Sequence, residues 1–168
     1  MAYIKKHFYS WQDIESMCQS IVMQMYKDEW RPEYIVGLTR GGNIPATIIS
    51  NWTDISCNAL KISFRDDTEN ESNCWMSEDA YNGKKILIID DINDTGATLN
   101  HLQKDWESNS GLDHIKWNID VWGNNVRFAT LTENLASSFG QVKYYSHEIN
   151  KTEDDVWLVY PWEKQCTP

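Results

Sequence analysis

Ile86-Leu87-Ile88-Ile89-Asp90-Asp91-Ile92-Asn93-Asp94-Thr95-Gly96-Ala97-Thr98 is the stretch whose reading decides the fold. Its apolar run, β-branched except for Leu87, predicts a strand buried on both faces of a parallel sheet. Asp90 and Asp91 follow, where that strand is expected to run out. A third acid, Asp94, and Thr95-Gly96-Ala97-Thr98 then open a segment with helical spacing. In open α/β sheets, ligands bind beyond the carboxyl ends of strands, against helix N-termini. Such a helix end offers unpaired N–H groups and hydroxyls, which suit a phosphate. Carboxylates accept hydrogen bonds and are hard oxygen ligands, so the acids suit sugar hydroxyls or a metal ion. One turn thus has the groups to hold both ends of a ribose 5-phosphate. The competing reading is an ordinary turn, since helix starts favour Asp and Thr as caps.

The chain has 168 residues, enough for one domain with a proper core. Its net charge of -10 argues against broad nucleic-acid binding, which needs a basic face. A polyanionic ligand would meet a repulsive global field, so helix ends, local dipoles and Mg²⁺ would have to supply the attraction. No uninterrupted apolar run approaches the ~20 residues that span a bilayer, and the start of the chain shows no signal-peptide pattern, so no membrane association is expected. Cys18, Cys57, Cys74 and Cys166 are widely separated and read as reduced cysteines of a cytoplasmic protein.

Upstream, Ser10 and Asp13 suggest a helix cap, and Trp11, Ile14, Met17, Cys18, Ile21, Val22 and Met25 recur at helical spacing over residues 11–29. Tyr34-Ile35-Val36-Gly37-Leu38 reads as a buried strand running into Thr39-Arg40-Gly41-Gly42 and a helix to about Trp52. The glycines allow backbone N–H groups to approach an anion, and Arg40 adds a fixed positive charge, although Gly-Gly after a strand is often only a turn. Residues 57–63 predict a further strand. Residues 64–82 are polar and acidic, a loop long enough to be functional or disordered. Leu99, Leu102 and Trp106 carry the helix after the central turn. Residues 109–125, with Trp117 and Trp122, look like an insertion, with a hairpin as its candidate form, whose tryptophans would suggest a subunit contact if exposed. Val126–Thr132 and Val142–Tyr145 are expected strands.

The central string resembles the phosphoribosyl-diphosphate (PRPP) signature of the type I phosphoribosyltransferases, departing from it at Asn93, where that family usually has an aliphatic residue. Arg40-Gly41-Gly42 resembles the same family's pyrophosphate loop, in which the peptide before the basic residue, here Thr39–Arg40, can be cis. Asp155-Val156-Trp157-Leu158-Val159-Tyr160-Pro161-Trp162-Glu163 and Tyr9-Ser10-Trp11-Gln12-Asp13-Ile14 resemble the bacterial xanthine-guanine enzymes of that family, so the likeness spans nearly the whole chain.

The resemblance implies an α/β fold with a central, mostly parallel sheet flanked by helices and a small hood from the chain ends. It implies a single domain, residues 1–168, with a mobile flap at 64–82 and a base-binding hood at 142–168. The implied activity is transfer of the phosphoribosyl group from PRPP to a nitrogenous base, expected to be a purine, in purine salvage. The alternative is a PRPP- or nucleotide-binding regulator of the same fold with little turnover. By resemblance, Asp90 and Asp91 hold the ribose hydroxyls, Asp91 also touches Mg²⁺, and Asp94 is the catalytic group facing the base. Thr95, Gly96, Ala97 and Thr98 cradle the 5′-phosphate. Arg40 and Gly41 take the pyrophosphate, and Trp157 and Leu158 clamp the base. A matching flap commonly contributes a basic residue, yet only Arg65 stands there before Lys84. Enzymes of this type also place a lysine against a 6-oxo group, where this chain has Glu133. An ionised carboxylate only accepts, so Glu133 would favour a base with an exocyclic amine or ring N–H. The resemblance further implies a dimer or tetramer.

Overall fold

The computed structural model describes residues 3–62, 74–110 and 114–165. Five parallel strands form the central sheet in the order β3-β2-β4-β5-β6: β2 (Tyr34–Thr39), β3 (Cys57–Lys61), β4 (Ile86–Asn93), β5 (Val126–Asn134) and β6 (Val142–Ile149). The architecture is the expected α/β sheet flanked by helices. A separate two-stranded parallel sheet pairs β1 (Lys5–Phe8) with β7 (Val156–Val159), joining the two ends of the chain into the hood.

Strand β4 explains its own composition. Leu87 and Ile89 enter one core, with Ile14, Met17, Cys18, Ile21 and Met25 of α1 (Trp11–Lys27) and Ala46 and Ile49 of α2 (Asn43–Thr53). Ile86 and Ile88 enter the other, with Met76 and Ala80 of α3 (Cys74–Tyr81) and Leu99, Leu102 and Trp106 of α4 (Ala97–Ser110). Side chains alternate across a strand, so a strand covered on both faces has no polar side, and the run is apolar throughout. Helix α1 begins with a full capping box: the Ser10 hydroxyl accepts from the Asp13 N–H, and the Ser10 N–H donates to the Asp13 carboxylate. It ends two residues short of the expected 29, where Glu29 takes a positive φ of 51°.

Three expectations need correction. Strand β4 does not run out before the acids; it continues through them to Asn93, with Asp90 opposite Thr130, Ile92 opposite Thr132 and Asn93 opposite Glu133 on β5. Residues 74–81 of the supposed 64–82 flap form α3, because Met76, Ser77 and Ala80 fall on one face and are buried against the sheet; residues 63–73, Arg65 among them, lie outside the described residues. The 109–125 segment contains no hairpin among its described residues. It holds a short helix, α5 (His114–Lys116), running into a π-helical turn, Trp117–Val121. Trp117 and Trp122 are buried and stack on each other at 4.9 Å, with Trp106 next in the series at 6.1 Å. These indoles complete the second core and are not available to a partner.

Candidate functional site

Strand β2 is flanked by β3 and β4, and β4 by β2 and β5, so successive connections leave β2 and β4 in opposite directions. Loops at the carboxyl ends of two such strands part and leave a crevice between them. Arg40-Gly41-Gly42 leaves β2 at this crevice and the acidic turn leaves β4. The two are pressed together so tightly that side chains are excluded. A Cβ on Gly41 would lie 2.0 Å from the Asp91 carboxylate, and one on Gly42 would lie 2.4 Å from the Ile89 carbonyl oxygen. The Thr39–Arg40 peptide is cis, and the Arg40 side chain is exposed at the rim.

Residues 90–99 line a cavity of about 190 Å³. Gly96 makes the turn into α4 at a φ of +89°, and a Cβ there would lie 2.6 Å from the Phe139 nitrogen. Glycine is therefore required twice over, for its conformation and for the close approach of the 135–141 loop. That loop is tied down: the Ser138 N–H and hydroxyl donate to the Thr95 carbonyl at 3.0 and 2.8 Å, and Asn100 Nδ2 donates to the Ser138 hydroxyl at 3.0 Å. The first turn of α4 thus faces the cavity on a braced frame. Burial and the adjacent Asp91 carboxylate push Asp90 well above the usual carboxylate range, and burial raises Asp91 as well. Two half-buried acids side by side form a site that a cation or hydrogen-bond donors would relieve.

The two departures from the family pattern turn out to be partners. Asn93 is 2% exposed and directly opposite Glu133. Its Nδ2 donates to Glu133 Oε1 at 2.9 Å and to the Phe139 carbonyl at 2.9 Å, while its Oδ1 accepts from the Ser137 hydroxyl at 2.7 Å. Glu133 Oε2 accepts from the Thr130 hydroxyl at 3.4 Å, and burial pushes the Glu133 carboxyl up to about 6. The expected base-facing role of Glu133 is corrected accordingly: its carboxylate is buried between strands and occupied by Asn93, a cross-strand pair of the kind that fixes register.

A cation pairs with Asp94, one of the residues that line the cavity. Lys151, in the β6–β7 connection, places Nζ 3.0 Å from Asp94 Oδ2, and its backbone N–H donates to Asn134 Oδ1 at 3.1 Å. The same Asn134 side chain donates through Nδ2 to the Asp94 carbonyl at 3.0 Å and to Asp94 Oδ1 at 3.3 Å. Tyr160 braces the acidic turn from the hood, its hydroxyl donating to the Asp91 carbonyl at 3.2 Å and lying 3.0 Å from the Thr132 hydroxyl. None of Asn134, Lys151 or Tyr160 stood out in the sequence, because each is defined by a partner remote along the chain. The residues meant to clamp a base are split by strand alternation. Trp157 is 58% exposed on the hood, whereas Leu158 is buried in the first core with Tyr9 and Ile14. The Leu158 side chain is therefore corrected from a clamp to a core contact.

Comparison with known proteins agrees with this geometry. Residues 4–106 match the phosphoribosyl transferase domain family. Xanthine phosphoribosyltransferase 1 of Saccharomyces cerevisiae is 25% identical, over 98% of this chain and 93% of its own length. The xanthine-guanine phosphoribosyltransferase of Idiomarina loihiensis is 26% identical, over 60% of this chain and 64% of its own. Among solved structures, a purine phosphoribosyltransferase from Pyrococcus horikoshii superposes with a TM-score of 0.66 at 20% identity, covering 98% of both chains. A domain match over more than half the sequence, a matching fold and a signature turn at the sheet's switch point lead to one statement: the chain belongs to the phosphoribosyltransferase family.

Proposed function

We propose that this protein transfers the 5-phosphoribosyl group of PRPP to a purine base, forming a nucleoside 5′-monophosphate and releasing pyrophosphate. The observation that carries this reading is the close meeting of Arg40-Gly41-Gly42 with Asp90–Thr98 at one crevice. The curated relatives are named for xanthine and hypoxanthine-guanine substrates, which supports a purine as acceptor.

In this reading the N–H groups and hydroxyls of Thr95–Thr98 take the 5′-phosphate at the start of α4. Asp90 and Asp91 accept from the ribose hydroxyls. Arg40 and the backbone of Gly41 bind the pyrophosphate. The base's N9 lone pair forms a bond to C1 of the ribose as the bond from C1 to the pyrophosphate oxygen breaks, and positive charge develops on the sugar. Asp94 accepts the proton that the base loses from N7 as N9 becomes bonded. Trp157 offers a flat, exposed indole on which a heterocycle can stack. Mg²⁺ fits the pair Asp90 and Asp91, since that ion is commonly held by one or two carboxylates together with substrate phosphates; it would supply Lewis-acid stabilisation of the departing pyrophosphate. No helix among the described residues is long and apolar enough to cross a membrane; a cytoplasmic dimer or tetramer completes the proposal.

The test is pyrophosphate release from PRPP and Mg²⁺ with guanine, hypoxanthine, xanthine and adenine in turn. Release with at least one of the purines is expected. Silence with all four would overturn the transferase reading in favour of a nucleotide-binding regulator.

A further inference from the structure

We infer that Tyr160 is a positioning residue for ribose recognition, the last link of an ordered hydrogen-bond chain that runs from His147 through Tyr9 and Thr132 to the Asp91 carbonyl. The inference rests on the proposal that Asp90 and Asp91 accept from the ribose hydroxyls. Its own basis is that Asp91 falls at a gap in the strand pairing. Strand β2 keeps register with β4 only as far as Ile89, opposite Gly37. The β5 register passes from Asp90, opposite Thr130, to Ile92, opposite Thr132, and skips Asp91. The Tyr160 hydroxyl reaches the Asp91 carbonyl there, at 3.2 Å. That carbonyl shares a planar peptide with the Ile92 N–H, which donates to Asp91 Oδ1 at 2.8 Å. Holding one end of the peptide therefore aims the carboxylate at the other.

Counting hydrogens gives the chain its direction. Tyr160 has one phenolic proton and two polar neighbours. The Asp91 carbonyl can only accept, so the proton goes to it, and the Thr132 hydroxyl supplies the hydrogen across the 3.0 Å between Thr132 and Tyr160. The Thr132 hydrogen is then committed, so the Tyr9 hydroxyl donates to Thr132 at 3.0 Å. Tyr9 is left to accept, and its remaining partner is Nδ1 of His147. Four contacts need four hydrogens, and the three hydroxyls carry three of them. The fourth must come from the imidazole, which fixes Nδ1 of His147 as a protonated nitrogen.

The chain is enclosed as well as ordered. Thr132, Tyr160 and Tyr9 are all buried, so a link that lost its hydrogen would leave polar oxygens facing each other away from bulk water. Ring packing fixes the phenols: Tyr160 stacks on Trp162 at 4.8 Å and lies 5.0 Å from Tyr9. Burial raises the Tyr160 phenol, which keeps it protonated and a donor. Tyr9 and Tyr160 come from the two ends of the chain that β1 and β7 join, and the Tyr9 N–H donates to the Val159 carbonyl at 2.9 Å. The hood thus acts on the ribose end of the cavity through a single backbone carbonyl.

The experiment titrates GMP and 2′,3′-dideoxy-GMP, which lacks both ribose hydroxyls, into the wild type, Tyr160→Phe, Thr132→Val and Thr132→Ser. Calorimetry in the presence of Mg²⁺ serves as a readout that needs no turnover. The wild type should prefer GMP. Tyr160→Phe keeps the ring and loses the donor, and should cut that preference about 3–10-fold, through GMP alone. Thr132→Val should cut it by less, and Thr132→Ser, which keeps the hydroxyl, should retain it. Nitrogen NMR of the imidazoles should find His147 protonated at Nδ1. A purely structural chain would weaken both nucleotides alike in Tyr160→Phe, which overturns the inference. A preference left whole in that variant, or a His147 ring protonated at Nε2 alone, would overturn it too. No preference in the wild type would overturn the ribose assignment and the inference with it. Absence of turnover by the wild type would count against the transferase reading alone, while the titration would still judge Tyr160 separately.

Discussion

The turn proposed to hold phosphate and ribose and the contacts around Asp94 are assembled from very different ranges of chain. Asp90, Asp91, Asp94 and Thr95–Thr98 come from one strand–turn–helix run, braced by glycines that let neighbouring loops approach. The contacts that brace this turn and pair Asp94 draw on residues brought together only by folding. Lys151 lies 57 positions from Asp94, Asn134 lies 40 from it, and Tyr160 lies 69 from Asp91. A group positioned by its own backbone turn cannot move far without losing the helix start. A group positioned through another side chain depends on that partner, as Lys151 does on Asp94 and Asn134.

The sharpest break of this contrast is Asp94→Asn, which sits where the two sides meet. An amide cannot take the N7 proton, so kcat should fall about 10²–10⁴-fold with the PRPP KM nearly unchanged. An unchanged kcat would remove Asp94 from the chemistry. Next in size is Thr98→Ala on the phosphate side. Losing a hydroxyl donor to a charged phosphate should raise the PRPP KM by about 10–100-fold and leave base preference alone. Identical kinetics would move the phosphate elsewhere.

The Asn93–Glu133 pair gives a smaller effect, on stability. Asn93→Leu restores the aliphatic residue usual in the family but strips Glu133 Oε1 of the Asn93 donor, and should cost about 1–3 kcal/mol in denaturant unfolding. Adding Glu133→Leu should recover part of that loss, a non-additivity that a double-mutant cycle would measure. Strict additivity would show the two residues to be independent. The smallest effect is a pH dependence. The Glu133 carboxyl is raised from 4.5 to about 6 in the folded protein, so the fold binds this proton more tightly than the unfolded chain. Its contribution is favourable at low pH and is lost as pH rises from the unfolded value through about 6. Glu133→Gln, whose carbonyl can still accept from Asn93, should be more stable than the wild type at pH 7 and should lose that advantage below pH 4.5. The same margin at both values would mean that Glu133 titrates normally.

The same contrast explains how much could be read from the sequence. The β4–α4 turn was legible because its parts are adjacent and each has a local reason: an apolar run for a doubly covered strand, acids at its end, Gly96 for a positive φ. Helix α1 was legible from its period and its cap, Ser10 with Asp13. Strand β1 was not, since the exposed Lys5–Phe8 becomes a strand only by pairing with Val156–Val159 at the other end of the chain. Helix α3 was hidden by its acidic surroundings, although Met76 and Ala80 carry the signal at a spacing of one helical turn. Whether Trp117 and Trp122 were exposed was left open by the sequence, because an aromatic cluster is recognisable only from its partners. Glu133 was misread for the same reason: its role depends on Asn93, and each was weighed alone.

The most direct test of the central claim is a crystal structure of the protein with GMP bound. The account predicts the 5′-phosphate against the N–H groups of Thr95–Thr98, the ribose hydroxyls on Asp90 and Asp91, and the purine on the Asp94 side of the cavity. A phosphate seated away from the start of α4, or a ribose out of reach of both aspartates, would contradict it.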